Sequence, residues 1–267
     1  MPDQPAQLKP ATRRVFITGA SSGIGAALAR HYAAQGAVLG LVARRGELLT
    51  ELAASLNTEC ATYAVDVRDA DAMRVAAEDF MQRHGTPDIV IANAGVSRGT
   101  LTQYAEDLAA FRALMDINVL GLLHTFHPFI EPMRRSGHGH LAGIASVAGL
   151  RGLPGASAYS ASKAAAISYL ESLRVELTKT GVSVTTLCPG YIRTPMTDVN
   201  TYPMPFMLEA DDAAAKMARV IDQKRRYVIL PWQMALVGRF MKLLPAWVWD
   251  WAMRNAPHKA RVDWDWL

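Results

Sequence analysis

The stretch that decides the fold runs Arg13-Arg14-Val15-Phe16-Ile17-Thr18 and then Gly19-Ala20-Ser21-Ser22-Gly23-Ile24-Gly25. The first six residues are a short β-branched run ending in a glycine-rich turn. After the turn Ile24, Leu28 and Tyr32 recur at helical spacing as far as Gly36. In a strand, turn and helix of this kind, backbone N–H groups and the helix dipole face outward at one point and can receive a pyrophosphate. Glycine keeps side chains away from the phosphates there. Gly19, Ser21, Ser22, Gly23, Ile24 and Gly25 are therefore candidate cofactor-binding residues. Glycines also serve tight turns and helix packing, so it is the strand–turn–helix setting, near the N-terminus, that favours the cofactor reading.

Outward from that unit the same beat repeats. Val38–Ala43 reads as a second buried strand, Glu47–Leu56 as a helix and Ala61–Val65 as a third strand. A helix over Ala70–Arg83, a strand Ile89–Ala92, a long helix from about Leu108 to Arg134 and a strand near Leu141–Ala145 follow. Ser157–Thr180 is the next helix. Strands Ser183–Leu187 and Arg226–Leu230 enclose a Pro- and Met-rich connection, Pro189 to Leu208, and a helix near Asp211–Asp222. Continuous apolar strands alternating with helices imply a parallel sheet covered on both faces, and right-handed crossovers make it doubly wound. The expected architecture is an α/β, Rossmann-type sheet of seven parallel strands over residues 13–230, with a flexible tail at 1–12 and a Trp-rich helical extension at 231–267.

The chain has 267 residues, 51% of them apolar, enough for one sizeable core and too many for disorder. Its net charge of +4 is scattered rather than blocked, which argues against nucleic-acid binding. The excess is nonetheless local: residues 224–267 carry eight Lys or Arg against three Asp, and residues 1–223 carry 20 against 21. Cys60 and Cys188 stand far apart without metal-ligand spacing, so no metal and no disulfide are expected, and a reducing compartment fits. The N-terminus lacks the apolar stretch of a secretory signal, and apolar runs are broken by charge or proline before they reach spanning length. The expected location is cytoplasmic, with contact at a membrane surface left open.

The second strand ends Val42-Ala43-Arg44-Arg45, where an NAD site usually offers an acidic residue to the ribose diol. Two guanidiniums can instead meet a 2′-phosphate with bidentate hydrogen bonds, which favours NADP(H); the alternative is that Arg44 and Arg45 solvate a helix start. Asp66-Val67 follow the third strand and Asn93-Ala94-Gly95 the fourth, at the sheet edge where such folds hold ligands. As residues alone, these are equally readable as caps or turn formers.

Tyr159-Ser160-Ala161-Ser162-Lys163 opens a helix, and the i, i+4 spacing sets phenol and ammonium on one face. A neighbouring cation lowers a phenol pKa from about 10 toward neutrality, as a general acid or base requires. Ser146, at a strand end, can hydrogen-bond the same substrate oxygen. The three suggest carbonyl–alcohol chemistry.

With these residues in order, the sequence resembles the short-chain dehydrogenase/reductase family in its compact single-domain form. The likeness covers about Arg13 to Leu230 and takes in the glycine turn, Asp66, Asn93-Ala94-Gly95, Asn118, Ser146, Tyr159-x-x-x-Lys163 and Pro189-Gly190. It implies that Tyr159 protonates the carbonyl oxygen, Ser146 polarises it, Lys163 holds the nicotinamide ribose and lowers the tyrosine pKa, and Asn118 completes a water-linked relay. It also implies Asp66, with Val67, at the adenine, Asn93 near the adenine ribose, Ser21 and Ile24 at the phosphates, Ile192 and Thr194 at the carboxamide, and Pro189 and Gly190 around the nicotinamide ring. Ala92 and Ala145 depart mildly from the family pattern, outside the catalytic four. A homodimer or homotetramer through the helices Leu108–Arg134 and Ser157–Thr180 is implied as well.

Loops Val96–Thr102 and Val147–Ser157 and the connection after Pro189 are expected to set specificity. Met204, Phe206 and Met207 in that connection suit a lid over an apolar substrate, or packing on the protein itself. Beyond it Trp232, Leu236, Phe240, Leu243, Trp247 and Trp251 recur at helical spacing beside Arg239, Lys242, Arg254, Lys259 and Arg261, in two helices broken at Pro245. That pattern fits a membrane interface, closure of the substrate pocket or a subunit contact. The function expected from all this is NADPH-dependent reduction of a lipophilic ketone or aldehyde. Alcohol oxidation with NAD(P) and a non-catalytic NADP sensor are the alternatives.

Overall fold

Strands β1 (Arg14–Thr18), β2 (Val38–Ala43), β3 (Cys60–Ala64), β4 (Ile89–Ala92), β5 (Gly139–Ile144), β6 (Val182–Pro189) and β7 (Tyr227–Leu230) form one sheet in the order β3-β2-β1-β4-β5-β6-β7. Every neighbouring pair is parallel, with Ile17 against Leu41 on one side and Ile91 on the other. The computed structural model describes residues 12–261; residues 1–11 of the tail and the extension from 262 onward lie outside them. After β3 the chain returns to β1's other side, so the connections leaving β1 and β4 run to opposite faces of the sheet. That switch point is where an open α/β sheet offers a crevice.

Alternation along each strand sends side chains to two cores. On one face Val15 and Ile17 meet α1 (Gly23–Ala33), α2 (Gly46–Ser55) and α8 (Ala210–Asp222), with Leu28, Leu49, Met217 and Ile221 all fully buried. On the other Phe16 meets α3 (Ala70–His84), α5 (Gly121–Ser136) and α6 (Ser157–Glu176). The Phe16 ring centroid lies 5.4 Å from Phe80 and 4.9 Å from Phe129, a tilted aromatic cluster that ties three elements together.

The long helix expected from Leu108 to Arg134 is not continuous. It consists of α4 (Asp107–Met115), a π-turn over Asp116–Leu120 and α5, with the Gly121 N–H donating to the Asp116 carbonyl. One extra residue in a turn leaves apolar spacing nearly intact, so periodicity did not reveal it; such turns gather at functional sites. By length and composition the run Asp107–Ser136 is also apolar enough to cross a membrane. Its Leu114, Phe126, Phe129 and Met133 are buried against the sheet and α6, which makes it a core helix. The helix expected to reach Thr180 stops at Glu176. Short α7 (Pro195–Asp198) interrupts the Pro-rich connection, and α9 (Trp232–Leu243) and α10 (Ala246–Met253) flank Pro245.

Candidate active site

The glycine turn forms the floor of a cleft at the β1–β4 switch point. Ser22 precedes α1 without placing a side-chain cap on it, so the helix's first N–H groups face the cleft. Gly23 takes φ +53°, a conformation that favours glycine. Gly25 has a different task from the one expected: it does not line the cleft, and a Cβ there would sit 2.2 Å from the Gly19 carbonyl oxygen. It lets α1 close against the turn. Asn93 locks the arrangement by donating its amide to the Thr18 and Gly19 carbonyls, at 3.0 and 3.1 Å. The Asn93 and Ala94 N–H groups both donate to Thr18 Oγ1 at 3.3 Å. Asn93 thus positions two loops as well as lining the cleft.

At the cleft's outer end Arg45 Nη2 donates to Ser21 Oγ at 3.2 Å and to Ser22 Oγ at 3.1 Å. Arg44 lines the same wall as Asp66 and Val67. Arg68 grips the Asp66 carboxylate through Nε and Nη2 at 3.0 and 2.8 Å, and through its main-chain N–H. Burial alone would raise the Asp66 carboxyl, but the Arg68 hydrogen bonds and the Arg44 charge outweigh it and hold it below the usual carboxylate range. The Arg44 guanidinium is shifted down, chiefly by burial. Guanidiniums and hydroxyls converging here make a basic, donor-rich corner.

On the opposite wall α6 carries Tyr159 and Lys163, while Ser146 ends the connection out of β5. Ser146 Oγ accepts the Ala148 N–H at 3.1 Å, so it caps the turn Val147–Gly149 while facing Tyr159. Lys163 Nζ donates to the Ile144 carbonyl at 2.9 Å and lies 6.0 Å from the Tyr159 ring centroid. The expectation of a depressed tyrosine pKa is not met in this state. Burial raises the phenol, with the Ser146 hydrogen bond pulling the other way, and burial brings Lys163 down to about 8. The phenol is therefore protonated at neutral pH.

Asn118, in the π-turn, does not line the cleft. Its Oδ1 accepts the Val96 N–H at 2.9 Å, and its Nδ2 donates to the Val96 carbonyl and to Ser162 Oγ, both at 3.0 Å. Ser162 Oγ in turn donates to the Tyr159 carbonyl at 2.8 Å. The amide clamps the loop after β4 to the helix that carries Tyr159.

Gly95, Pro189, Gly190, Ile192 and Thr194 line the cleft as expected, and Ala94 lies with them. Ile117 and Ile144, which sequence reading missed, complete its apolar wall with Val96, Pro195 and Met196, which it places only within the loops expected to set specificity. Thr194-Pro195 was the available signal for the last two: a capping residue followed by a proline marks a helix start. The connection after β6 is pinned at its root, Arg193 N–H to Leu208 carbonyl and Leu208 N–H to Tyr191 carbonyl, at 2.9 and 3.0 Å. The last described residues cross the loops Val96–Thr102 and Val147–Ser157, and a Cβ on Gly155 in the second would lie 2.7 Å from His258 Cβ. Gly99 N–H donates to the Ala260 carbonyl at 2.9 Å, and Arg261 bonds Glu106 and Asp107 while stacking 4.1 Å from the Tyr104 ring centroid.

A family model described as short chain dehydrogenase matches residues 13–203. The chain belongs to the short-chain dehydrogenase/reductase family. An uncharacterized oxidoreductase of Myxococcus xanthus is 39% identical over 248 residues, 91% of this chain and 97% of the relative. A protein of Arabidopsis thaliana named 11-beta-hydroxysteroid dehydrogenase 1A is 32% identical over 262 residues, 90% and 74% of the two chains. Among solved structures, an alcohol dehydrogenase of Thermococcus sibiricus, complexed with 5-hydroxy-NADP, is similar at 26% identity and a TM-score of 0.74, covering 82% of this chain and 96% of that one. As a short-chain dehydrogenase/reductase this chain is an oxidoreductase, and solved structures similar to it are complexes with NAD- and NADP-type nicotinamide cofactors. The site fits such a cofactor: an uncapped helix start for phosphates and a close-packed glycine turn lie at one end of the cleft, with an apolar wall beside a phenol and an ammonium at the other.

Proposed function

We propose that this enzyme reduces a ketone or aldehyde, preferably a lipophilic one, to the alcohol with NADPH. The observation that carries the reading is the convergence of Ser146, Tyr159 and Lys163 on the same cleft as the glycine turn and Arg44-Arg45. Arg44, Arg45 and the two serine hydroxyls would hold a 2′-phosphate, the start of α1 the pyrophosphate, and Ile192 and Thr194 the carboxamide. When bound, the cofactor supplies the hydride. The Ser146 hydroxyl donates to the substrate oxygen and fixes its direction. The Tyr159 Oη–H, kept protonated by burial, gives its proton to that oxygen. The Lys163 ammonium holds the cofactor ribose and steadies the phenolate that remains, and the Asn118 segment leads a replacement proton in. Apolar Val96, Ile144 and Met196 favour a hydrocarbon substrate, in keeping with a relative named for a hydroxysteroid.

The test is NADPH consumption, followed by nicotinamide absorbance, against ketones graded in chain length and ring size, with NADH in parallel. Rates should rise with apolar size and fall by roughly a hundredfold or more in Tyr159→Phe, whose NADPH affinity stays near wild type. If no member of the panel shows Tyr159-dependent turnover, the reading fails. NADPH-gated binding of a partner would then support a sensor.

We further expect a cytoplasmic homodimer or homotetramer, paired through α4, α5 and α6. Leu108, Phe111, Leu120, Leu123 and Val175 are exposed on those helices, an apolar face that a second subunit would cover.

A further inference from the structure

α9 docks on the body through one side, and α9 and the following α10 leave large apolar side chains bare. The docked side is well anchored. Met234 and Gly238 are buried, and a Cβ on Gly238 would lie 2.5 Å from Leu150 Cδ1. Arg151 Nη1 donates to the Met241 and Leu244 carbonyls, closing the end of α9, and its guanidinium carbon stands 4.7 Å from the Trp249 ring centroid. Large apolar side chains recur at helical spacing along the exposed side of both helices. Trp232 is 68% exposed, Leu236 56%, Phe240 64%, Leu243 81%, Trp247 75% and Trp251 69%. An exposed apolar stripe of this size marks an interaction site.

Beside the stripe a groove runs between β7 and α9. Lys216, Arg225, Arg239 and Lys242 line it, no carboxylate does, and none of the four pairs with an acidic side chain among the described residues. Asp250 is the sole acid within α9 and α10. A two-fold contact between copies through this face would set the same cations against each other, which opposes self-association. Tryptophans and cations side by side at one surface are what a phospholipid interface favours, the rings at headgroup level and the cations on phosphates.

We propose that α9 and α10 seat the enzyme on an anionic phospholipid surface, with the stripe in the interface and the basic groove on lipid phosphates. The proposal is independent of which carbonyl is reduced. All six tryptophans of the chain lie between Trp232 and Trp266, so intrinsic fluorescence reports on this extension alone.

The experiment mixes the full chain with vesicles of phosphatidylcholine alone or with phosphatidylglycerol, and follows the emission maximum and co-sedimentation. Wild type should shift to the blue and sediment with the anionic vesicles at least roughly tenfold more tightly than with neutral ones, less so at high salt. Phe240→Glu combined with Trp247→Glu should abolish partitioning, with the circular dichroism and NADPH binding of wild type. Arg239→Glu combined with Lys242→Glu should remove the preference for anionic lipid. Failure of wild type to partition would overturn the proposal. So would partitioning that survives the Phe240 and Trp247 changes, or light scattering showing that those changes split a wild-type oligomer, since the stripe would then belong to a second copy.

Discussion

Lys163 is the residue on which the chemistry turns, because burial has brought its pKa to about 8 while its neighbour Tyr159 is pushed up. Reduction needs the ammonium and the protonated phenol together, so both favour the acid side. We predict that kcat/KM for reduction is level below about pH 8 and falls above it as Lys163 loses its proton. Saturating NADPH, an anion, should move that limb upward in kcat; a kcat/KM profile still level at about pH 10 would contradict the assignment. Arg44 and Arg45 carry a second residue-scale prediction. Changing both to Ala should weaken NADPH binding by roughly 10- to 100-fold and leave NADH binding nearly unchanged. Equal losses in a titration with each cofactor would remove the 2′-phosphate argument. The identities of these side chains were legible in the sequence because each chemical task requires a particular residue type. Their electrostatics were not: the i, i+4 spacing of Tyr159 and Lys163 gave the cation beside the phenol, and only the packing around α6 shows desolvation outweighing it.

At the scale of elements, the strands could be read from apolar runs and the turn from its glycines, and all seven strand positions hold to within a residue or two for that reason. What periodicity could not show was the π-turn at Asp116–Leu120, because an inserted residue barely alters which side chains are apolar. Its consequence is the Asn118 clamp on Val96, a job visible only once two distant loops are side by side. The close packing at Gly25 was hidden in the same way. Gly25→Ala would force its Cβ onto the Gly19 carbonyl, and should cost about 1–3 kcal/mol of stability and loosen cofactor binding, seen as a lower midpoint in denaturant and a weaker NADPH affinity. A midpoint equal to wild type would show that the turn can relax. The β5–β6 pair carries a pH dependence of its own. His140 is buried against Thr185 at 2.8 Å, and burial, with the Lys224 charge, takes its pKa from 6.5 to about 4. Its folded value lies below its unfolded one, so the stability it contributes is present above about pH 6.5 and is lost as pH falls toward 4, up to about 3 kcal/mol. His140→Asn should flatten that acid limb in denaturation curves taken between those pH values.

For the whole molecule, the sheet order places everything chemical at one edge and leaves two apolar faces elsewhere, on α4–α6 and on α9–α10. Charge separates them: the second is rimmed by cations, and the first carries Leu108, Phe111, Leu120 and Leu123 on the helices expected to pair. Phe111→Glu with Leu120→Glu should lower the mass measured by light scattering to that of one chain, and an unchanged mass would direct the search to another face. The extension lies past residue 203, where the family match ends, so its helices were readable from apolar spacing but its partner was not. The central claim is reduction of a carbonyl in this cleft with Tyr159 as the acid. Its most direct measurement is mass analysis of the alcohols formed from the ketone panel with NADPH deuterated at the nicotinamide C4. The account predicts one deuterium on the carbinol carbon with wild-type enzyme and almost none formed by Tyr159→Phe. Alcohol that lacks the label, or label transfer that is as fast in Tyr159→Phe as in wild type, would contradict it.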